Sequence, residues 1–263
     1  MTQNQVVSPP TGLGKPGAGE IHLWCLPPDT DVRADFLSGG TEFLSAEERN
    51  RYTATTHPGA AKRFLAGRIL VRQVLGRYLS QGPAEIRLSV DNAGKPFLNS
   101  DVEPLPVFSL SHAGDETVLA VAGEGDIGVD IETLSRAPAA LRIAQEFYTP
   151  AECRFLEHQR GDAANFALTL WSLKESIVKA QGHTVWDGLK GVALTIDGAD
   201  IVWESPLAEP NRWRLAAGRY RESYVLAIAQ RIFRRDAAEI SVIQYDVAGE
   251  TVSGMRFDPA FRG

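Results

Sequence analysis

Short apolar runs alternate with longer amphipathic stretches along this chain. Residues 21–26 (IHLWCL) form an apolar run of strand length, and Pro27 and Pro28, which cannot donate to a ladder, end it. Ser45 with Glu48 three residues later has the form of a capping box, so a helix starts there and His57-Pro58 interrupts it. Between residues 60 and 79, Phe64, Leu65, Ile69, Leu70, Val74 and Leu75 recur with helical period. Residues 86–90 alternate as a strand, 91–94 (DNAG) read as a turn, and Lys95-Pro96 resumes an extended segment. Residues 107–110 and 118–122 are two further strands flanking Ser111-His112-Ala113-Gly114.

The second half repeats this order. Residues 127–133 (IGVDIET) follow 21–27 (IHLWCLP) at a shift of 106 positions, and Thr149 with Glu152 is a second capping box. An apolar helix over 166–182 falls at the same shift from 60–76, and the strand 225–229 lies 107 positions after 118–122. Four elements in register point to an internal duplication. The expected fold is therefore α/β (α+β) with two similar α/β subdomains, 21–124 and 125–230, the second carrying the chemistry. Residues 1–20, rich in Gly, Pro and polar residues, read as a flexible leader, and 231–263, with one strand-like run at 240–245, as a C-terminal extension.

Against that apolar background the carboxylates stand out. Asp130 and Glu132 are two apart, so in a strand they share a face; Trp171, Glu175 and Lys179 are four apart, so in a helix they share one too. By the duplication, Trp24, Leu26 and Ile69 occupy the places of Asp130, Glu132 and Glu175, so the first copy has core where the second has acid. Charges at such places need partners. Three hard oxygen ligands and a lysine between a strand and a helix fit a divalent cation, magnesium or alternatively manganese, beside a phosphate. Each piece alone has a plainer reading, as a solvated strand face or an i,i+4 ion pair. Ser111-His112 suits a phosphate, or is an ordinary surface pair. Lys174 lies on another face of the helix and reads as solvated. Arg63, Arg68 and Arg72 fall on the first long helix, facing either a cleft or solvent.

Composition narrows the field. The 263 residues carry 27 Lys and Arg against 33 Asp and Glu, a net charge of −6 that argues against bulk nucleic acid as partner. Cys25 and Cys153 suggest neither a disulfide framework nor a zinc site. No run approaches a membrane span, so no membrane partner and a cytoplasmic monomer are the expectation.

Ser111-His-Ala-Gly114, Ile127-Gly-Val-Asp-Ile-Glu132, Phe147-Tyr-Thr-Pro-Ala-Glu152 and Trp171-Ser-Leu-Lys-Glu-Ser-Ile-Val-Lys179 together resemble the ordered motifs of the 4′-phosphopantetheinyl transferases, in particular the single-chain, pseudo-twofold Sfp type. The likeness spans residues 21–230. It implies transfer of the phosphopantetheine arm of coenzyme A to a serine of an apo acyl or peptidyl carrier protein, with magnesium, releasing adenosine 3′,5′-bisphosphate. It implies Asp130, Glu132 and Glu175 as metal ligands, Glu175 also as the base, and Lys179 on the diphosphate. Ser111 and His112 would touch the coenzyme A phosphates, and Lys95 and Pro96 would lie along the adenine. Glu48 stands where the family commonly has a lysine facing the 3′-phosphate, which leaves Arg51 and Arg63 for that contact. A basic or apolar docking patch for the carrier is expected near the cleft. The rival readings are a metal-dependent phosphodiesterase or nuclease and a non-catalytic coenzyme A binding protein.

Overall fold

The computed structural model of this chain describes residues 13–26, 30–92, 94–99, 105–159, 161–183, 192–203, 212–232, 241–246 and 261–262. The proline stop at 27–28, residues 1–12 of the leader and much of the extension after 232 lie outside them.

The first half supplies β1 (Glu20–Cys25), α1 (Thr30–Leu37), α2 (Ala46–Ala54), α3 (Pro58–Leu79), a small hairpin of β2 (Leu88–Val90) and β3 (Pro96–Leu98), then β4 (Val107–Ala113) and β5 (Glu116–Ala122). The second supplies β6 (Asp126–Thr133), α4 (Ala137–Phe147), α5 (Pro150–His158), α6 (Ala163–Gln181), β7 (Leu194–Asp197), β8 (Asp200–Trp203), β9 (Trp213–Tyr220) and β10 (Tyr224–Arg231). Both expected capping boxes form: Ser45 with Glu48 opens α2, and Thr149 with Glu152 opens α5. His57 caps α3, with Pro58 at its first turn, where a missing N–H costs nothing.

Two sheets result, ordered β11-β1-β5-β4 and β6-β10-β9-β12-β8-β7. β11 (Ser241–Asp246) runs parallel to β1, and β12 (Phe261–Arg262) pairs with β9 and β8. The C-terminal extension therefore contributes a strand to each half. The sheets pack face to face through Ile21, Leu23, Val118 and Ala120 against Ile127, Val129, Ile131, Leu226 and Ile228. α3 covers the outer face of the first sheet, over Trp24, Leu119 and Val121. α6, flanked by α4 and α5, covers the outer face of the second, over Val225, Ala227 and Ala229.

The duplication is visible in pairing as well as order: β1 pairs antiparallel with β5 as β6 does with β10. One registration needs correction. A shift of 107 would carry Leu119, which lies under α3, to Leu226, which faces the other sheet. Side chains alternate along a strand, so a slip of one reverses the face. The matching residue under the helix is Ala227, at a shift of 108.

Candidate active site

The site lies where β4, β6 and α6 meet. On β6, Ile127, Val129 and Ile131 point into the core between the sheets, so Asp130 and Glu132 point toward α6, 5% and 9% exposed. Their acidity against a covered helix follows from this alternation. What brings the helix so near is Gly128. A Cβ there would lie 1.8 Å from the Ser176 carbonyl oxygen and 2.7 Å from the Ala180 nitrogen, so the α6 backbone rests almost directly on β6. Glu175 and Lys179 flank that contact and so reach the Asp130 end of the strand.

Lys179 spends its ammonium on three oxygens. It donates to Asp130 Oδ1 at 2.6 Å, to Ser111 Oγ at 3.1 Å and to the Val129 carbonyl at 3.3 Å. Ser111 is a junction and not a free hydroxyl. It donates to Asp130 Oδ1 at 3.1 Å and accepts from the Ile131 N–H at 3.3 Å. Ser109, one pleat earlier, accepts from the Val129 N–H at 3.1 Å. The two serines thus satisfy the free edge of β6 and tie β4, from the first half, to the acidic strand. Ser111 and His112 lie within β4, which runs on to Ala113, and not at its end as the sequence suggested. His112 is exposed on β4. Partial desolvation, then Arg63 and Lys179, lower its pKa, while Asp130 works the other way.

The carboxylates are under-compensated. Burial, then Asp130, push Glu175 up to about 7 against the pull of Lys179. Burial and Asp130 raise Glu132 too, although Arg136 Nη1 donates to Glu132 Oε1 at 2.6 Å. Asp130 Oδ2 is buried with no hydrogen-bond partner. A buried, unpartnered carboxylate oxygen beside two acids whose pKa values are raised is the signature of a site short of positive charge, which fits a hard cation with oxygen ligands. Among the described residues no group of three His, Cys, Asp or Glu side chains is already gathered at metal-binding distance. Lys179 and Arg136 hold two of the three acids.

Around this centre the expected residues divide. Arg63 is exposed on the second turn of α3, and its guanidinium lies beside His57 and Gly59. Arg51 is exposed with its guanidinium 5.1 Å over the Phe64 ring. Arg68 and Arg72 are buried and do not face a cleft: Glu48 accepts from Arg72 at 2.6 Å and approaches Arg68 Nε at 3.3 Å, and Arg72 also holds the Ile86 carbonyl at 2.5 Å. An acid occupies position 48 because two buried guanidinium groups need it. Pro96 opens β3. Lys95 turns its ammonium inward, to the carbonyls of Lys179 at 2.7 Å and Ile127 at 2.9 Å.

Lys174 is a correction: it is fully buried, not solvated. Its ammonium meets Glu152 at 3.0 Å, both side chains being 0% exposed, and lies 4.8 Å over the Tyr148 ring. Glu152 also accepts from the Thr149 and Leu194 N–H groups at 2.8 and 2.9 Å, so the pair joins α5, α6 and β7. Arg136 was not singled out from sequence; its place four residues after Glu132 was the available signal. A shallow groove beside Glu132 is walled by Arg136, Ala140, Ile143, Leu168 and Trp171.

Two family models match this chain. A family model described as the 4′-phosphopantetheinyl transferase superfamily matches residues 126–229, and one described as 4′-phosphopantetheinyl transferase, N-terminal, matches residues 32–124. Similar relatives include the 4′-phosphopantetheinyl transferase HetI of Nostoc sp., 30% identical over 63% of this chain and 70% of that one. The 4′-phosphopantetheinyl transferase ffp of Bacillus subtilis is 34% identical over 60% and 66%, and Sfp of Bacillus subtilis strain 168 is 32% identical over 60% and 66%.

Proposed function

Since the chain belongs to the 4′-phosphopantetheinyl transferase superfamily, in its two-subdomain Sfp-type branch, we propose that it moves the phosphopantetheine arm of coenzyme A onto a serine of an apo acyl or peptidyl carrier protein, releasing adenosine 3′,5′-bisphosphate. The observation that supports this reading is a shortage of positive charge: Asp130 and Glu132 lie near enough to Glu175 to raise its pKa, and Asp130 Oδ2 is buried without a hydrogen-bond partner although Lys179 holds Oδ1.

Asp130, Glu132 and Glu175 would hold Mg²⁺, or Mn²⁺ in its place. The bound cation supplies Lewis-acid charge neutralisation to the diphosphate of coenzyme A. Lys179 and His112, near enough for the ammonium to lower the imidazole pKa, would hold the phosphates in line for attack. Ser111 supports them by fixing Lys179 and Asp130. Glu175 takes the proton of the carrier serine hydroxyl. The serine oxygen bonds to the phosphorus that bears the pantetheine arm, and the bond from that phosphorus to the bridging oxygen breaks. The bridging oxygen leaves with the adenosine bisphosphate, its new charge met by Lys179. Arg51, over the Phe64 ring, and Arg63, beside Gly59, are exposed cations that would meet the 3′-phosphate. Pro96 and the backbone beside it lie along the adenine. The groove walled by Ala140, Ile143, Leu168 and Trp171 gives the carrier or the arm an apolar surface next to Glu132.

The test is direct. The protein is mixed with Mg²⁺, coenzyme A and a set of apo carrier proteins, and each carrier is weighed by mass spectrometry. A gain of one phosphopantetheine arm is expected, lost in Glu175→Gln while coenzyme A still binds. No gain on any carrier overturns the reading. Transfer by Glu175→Gln at the wild-type rate removes Glu175 as the base.

A further inference from the structure

Lys95 belongs to the first subdomain, in the turn between β2 and β3, yet its charge is spent in the second. The turn is closed from both sides: the Lys95 N–H donates to Asp91 Oδ1 at 2.8 Å, and the Asp91 N–H donates to the Lys95 carbonyl at 2.9 Å. From this rigid base the side chain crosses the seam. Its ammonium donates to the Lys179 carbonyl at 2.7 Å and to the Ile127 carbonyl at 2.9 Å. Asp91 touches the same helix end, since a Cβ on Gly182, the C-cap of α6, would lie 3.1 Å from Asp91 Oδ2.

Both accepting carbonyls matter. Lys179 sits in the last turn of α6, where carbonyls lack intrahelical donors and carry the negative end of the helix dipole. Within the backbone, the Gly182 N–H donates to the Lys179 carbonyl at 3.4 Å. Ile127 is three residues before Asp130 on β6. One ammonium therefore grips the main chain of the residue whose side chain holds Asp130, and also the strand that carries Asp130. Burial lowers the Lys95 pKa, with Asp126 and Asp91 opposing, as expected of a cation committed to internal acceptors.

We propose that Lys95 is a positioning residue, which sets the distance between α6 and β6 and thereby the reach of the Lys179 ammonium to Asp130 and the leaving phosphate. It acts from the loop whose neighbour Pro96 is assigned to the adenine, so it links the nucleotide end of the cleft to the reacting end. This inference rests on the transferase reading for the role of Lys179, not for the geometry.

A double-mutant cycle tests it. Lys95→Met, Lys179→Met, the pair, and Lys95→Arg are compared for kcat and KM at temperatures where thermal unfolding shows each to be folded. Lys95→Met is expected to lower kcat between about 10-fold and about 100-fold, as small misplacements of a reacting group do. In the Lys179→Met background the same change should cost less than about 3-fold, because coupled residues are not additive. Lys95→Arg, which keeps the donors, should recover most of the loss. Equal losses in both backgrounds, or lower stability with kcat unchanged, would overturn the proposal. Hydrogen–deuterium exchange separates this from the parent reading. Lys95→Met should speed exchange at the end of α6 and leave β10 unaltered, whether or not any carrier is modified. Unaltered exchange at the end of α6 counts against Lys95; failed transfer by the wild type counts against the transferase reading.

Discussion

The carbonyl oxygen of Ser176 lies 1.8 Å from where a Cβ at position 128 would be, so only glycine lets α6 settle on β6. The site depends on that absent methyl, because Glu175 and Lys179 immediately precede the two residues in contact, Ser176 and Ala180. Gly128→Ala must push the helix outward. It should destabilise the protein by at least about 2 kcal/mol, at the upper end of ordinary overpacking, because the clash is with backbone. It should also cut carrier modification by about 100-fold or more. Urea unfolding and transfer kinetics measure both; a fully active Gly128→Ala would show that the close approach has no bearing on the chemistry.

Glu175 makes the stability of the cation-free protein depend on pH. Its folded pKa, about 7, is above the ordinary 4.5, so between those values the folded state binds the proton more tightly than the unfolded one. Its contribution is therefore present at pH 5 and lost as pH rises through 7, on the order of 3 kcal/mol in full. Adding Mg²⁺ should raise the unfolding temperature more at pH 8 than at pH 5.5. In Glu175→Gln that difference should shrink. An equal magnesium effect at both pH values would contradict this.

Arg136 holds Glu132 at 2.6 Å but is itself largely exposed, so it competes with a cation without being locked in place. Arg136→Gln should tighten Mn²⁺ binding in the absence of coenzyme A by about two- to fivefold, the scale of a partly exposed ion pair. Electron paramagnetic resonance titration of free Mn²⁺ reads this directly. Weaker binding would instead assign Arg136 a supporting role at the metal.

The Glu152–Lys174 pair is wholly buried, and the two residues differ in what they leave behind. Lys174→Met strands a carboxylate among the Thr149 and Leu194 N–H groups, at an expected cost of about 3–5 kcal/mol. Replacing both partners with apolar residues should cost less than the sum of the single changes. Denaturant unfolding of the three variants decides it; simple additivity would mean the ion pair is not coupled.

Much of this arrangement was legible in the chain. The capping boxes at Ser45 and Thr149 are set by four residues each, and they form as spelled. β1, β6, α3 and α6 are announced by apolar period, and the acids at 130, 132 and 175 are conspicuous because the other copy is apolar there. α4 was missed, although Ala137, Ala140, Leu141, Ala144 and Phe147 recur at helical spacing. β9, WRLAAGRY, owes its place to pairing with β10 and not to its own composition.

The sequence by itself determined which residues are apolar, where helices begin and which acids share a face, since those follow from local period and backbone hydrogen bonding. Only the tertiary structure decided what each charge is for. Glu48 proved to neutralise Arg68 and Arg72, Lys174 proved to be buried on Glu152, and Lys95 proved to hold the end of α6. The reason is physical. A charged side chain takes its role from the partner that offsets its desolvation, and these partners lie between 20 and 84 residues away along the chain. Local sequence carries no record of such distances; the packing of α2 on α3, of α5 on α6 and of the β2–β3 turn on the end of α6 creates them.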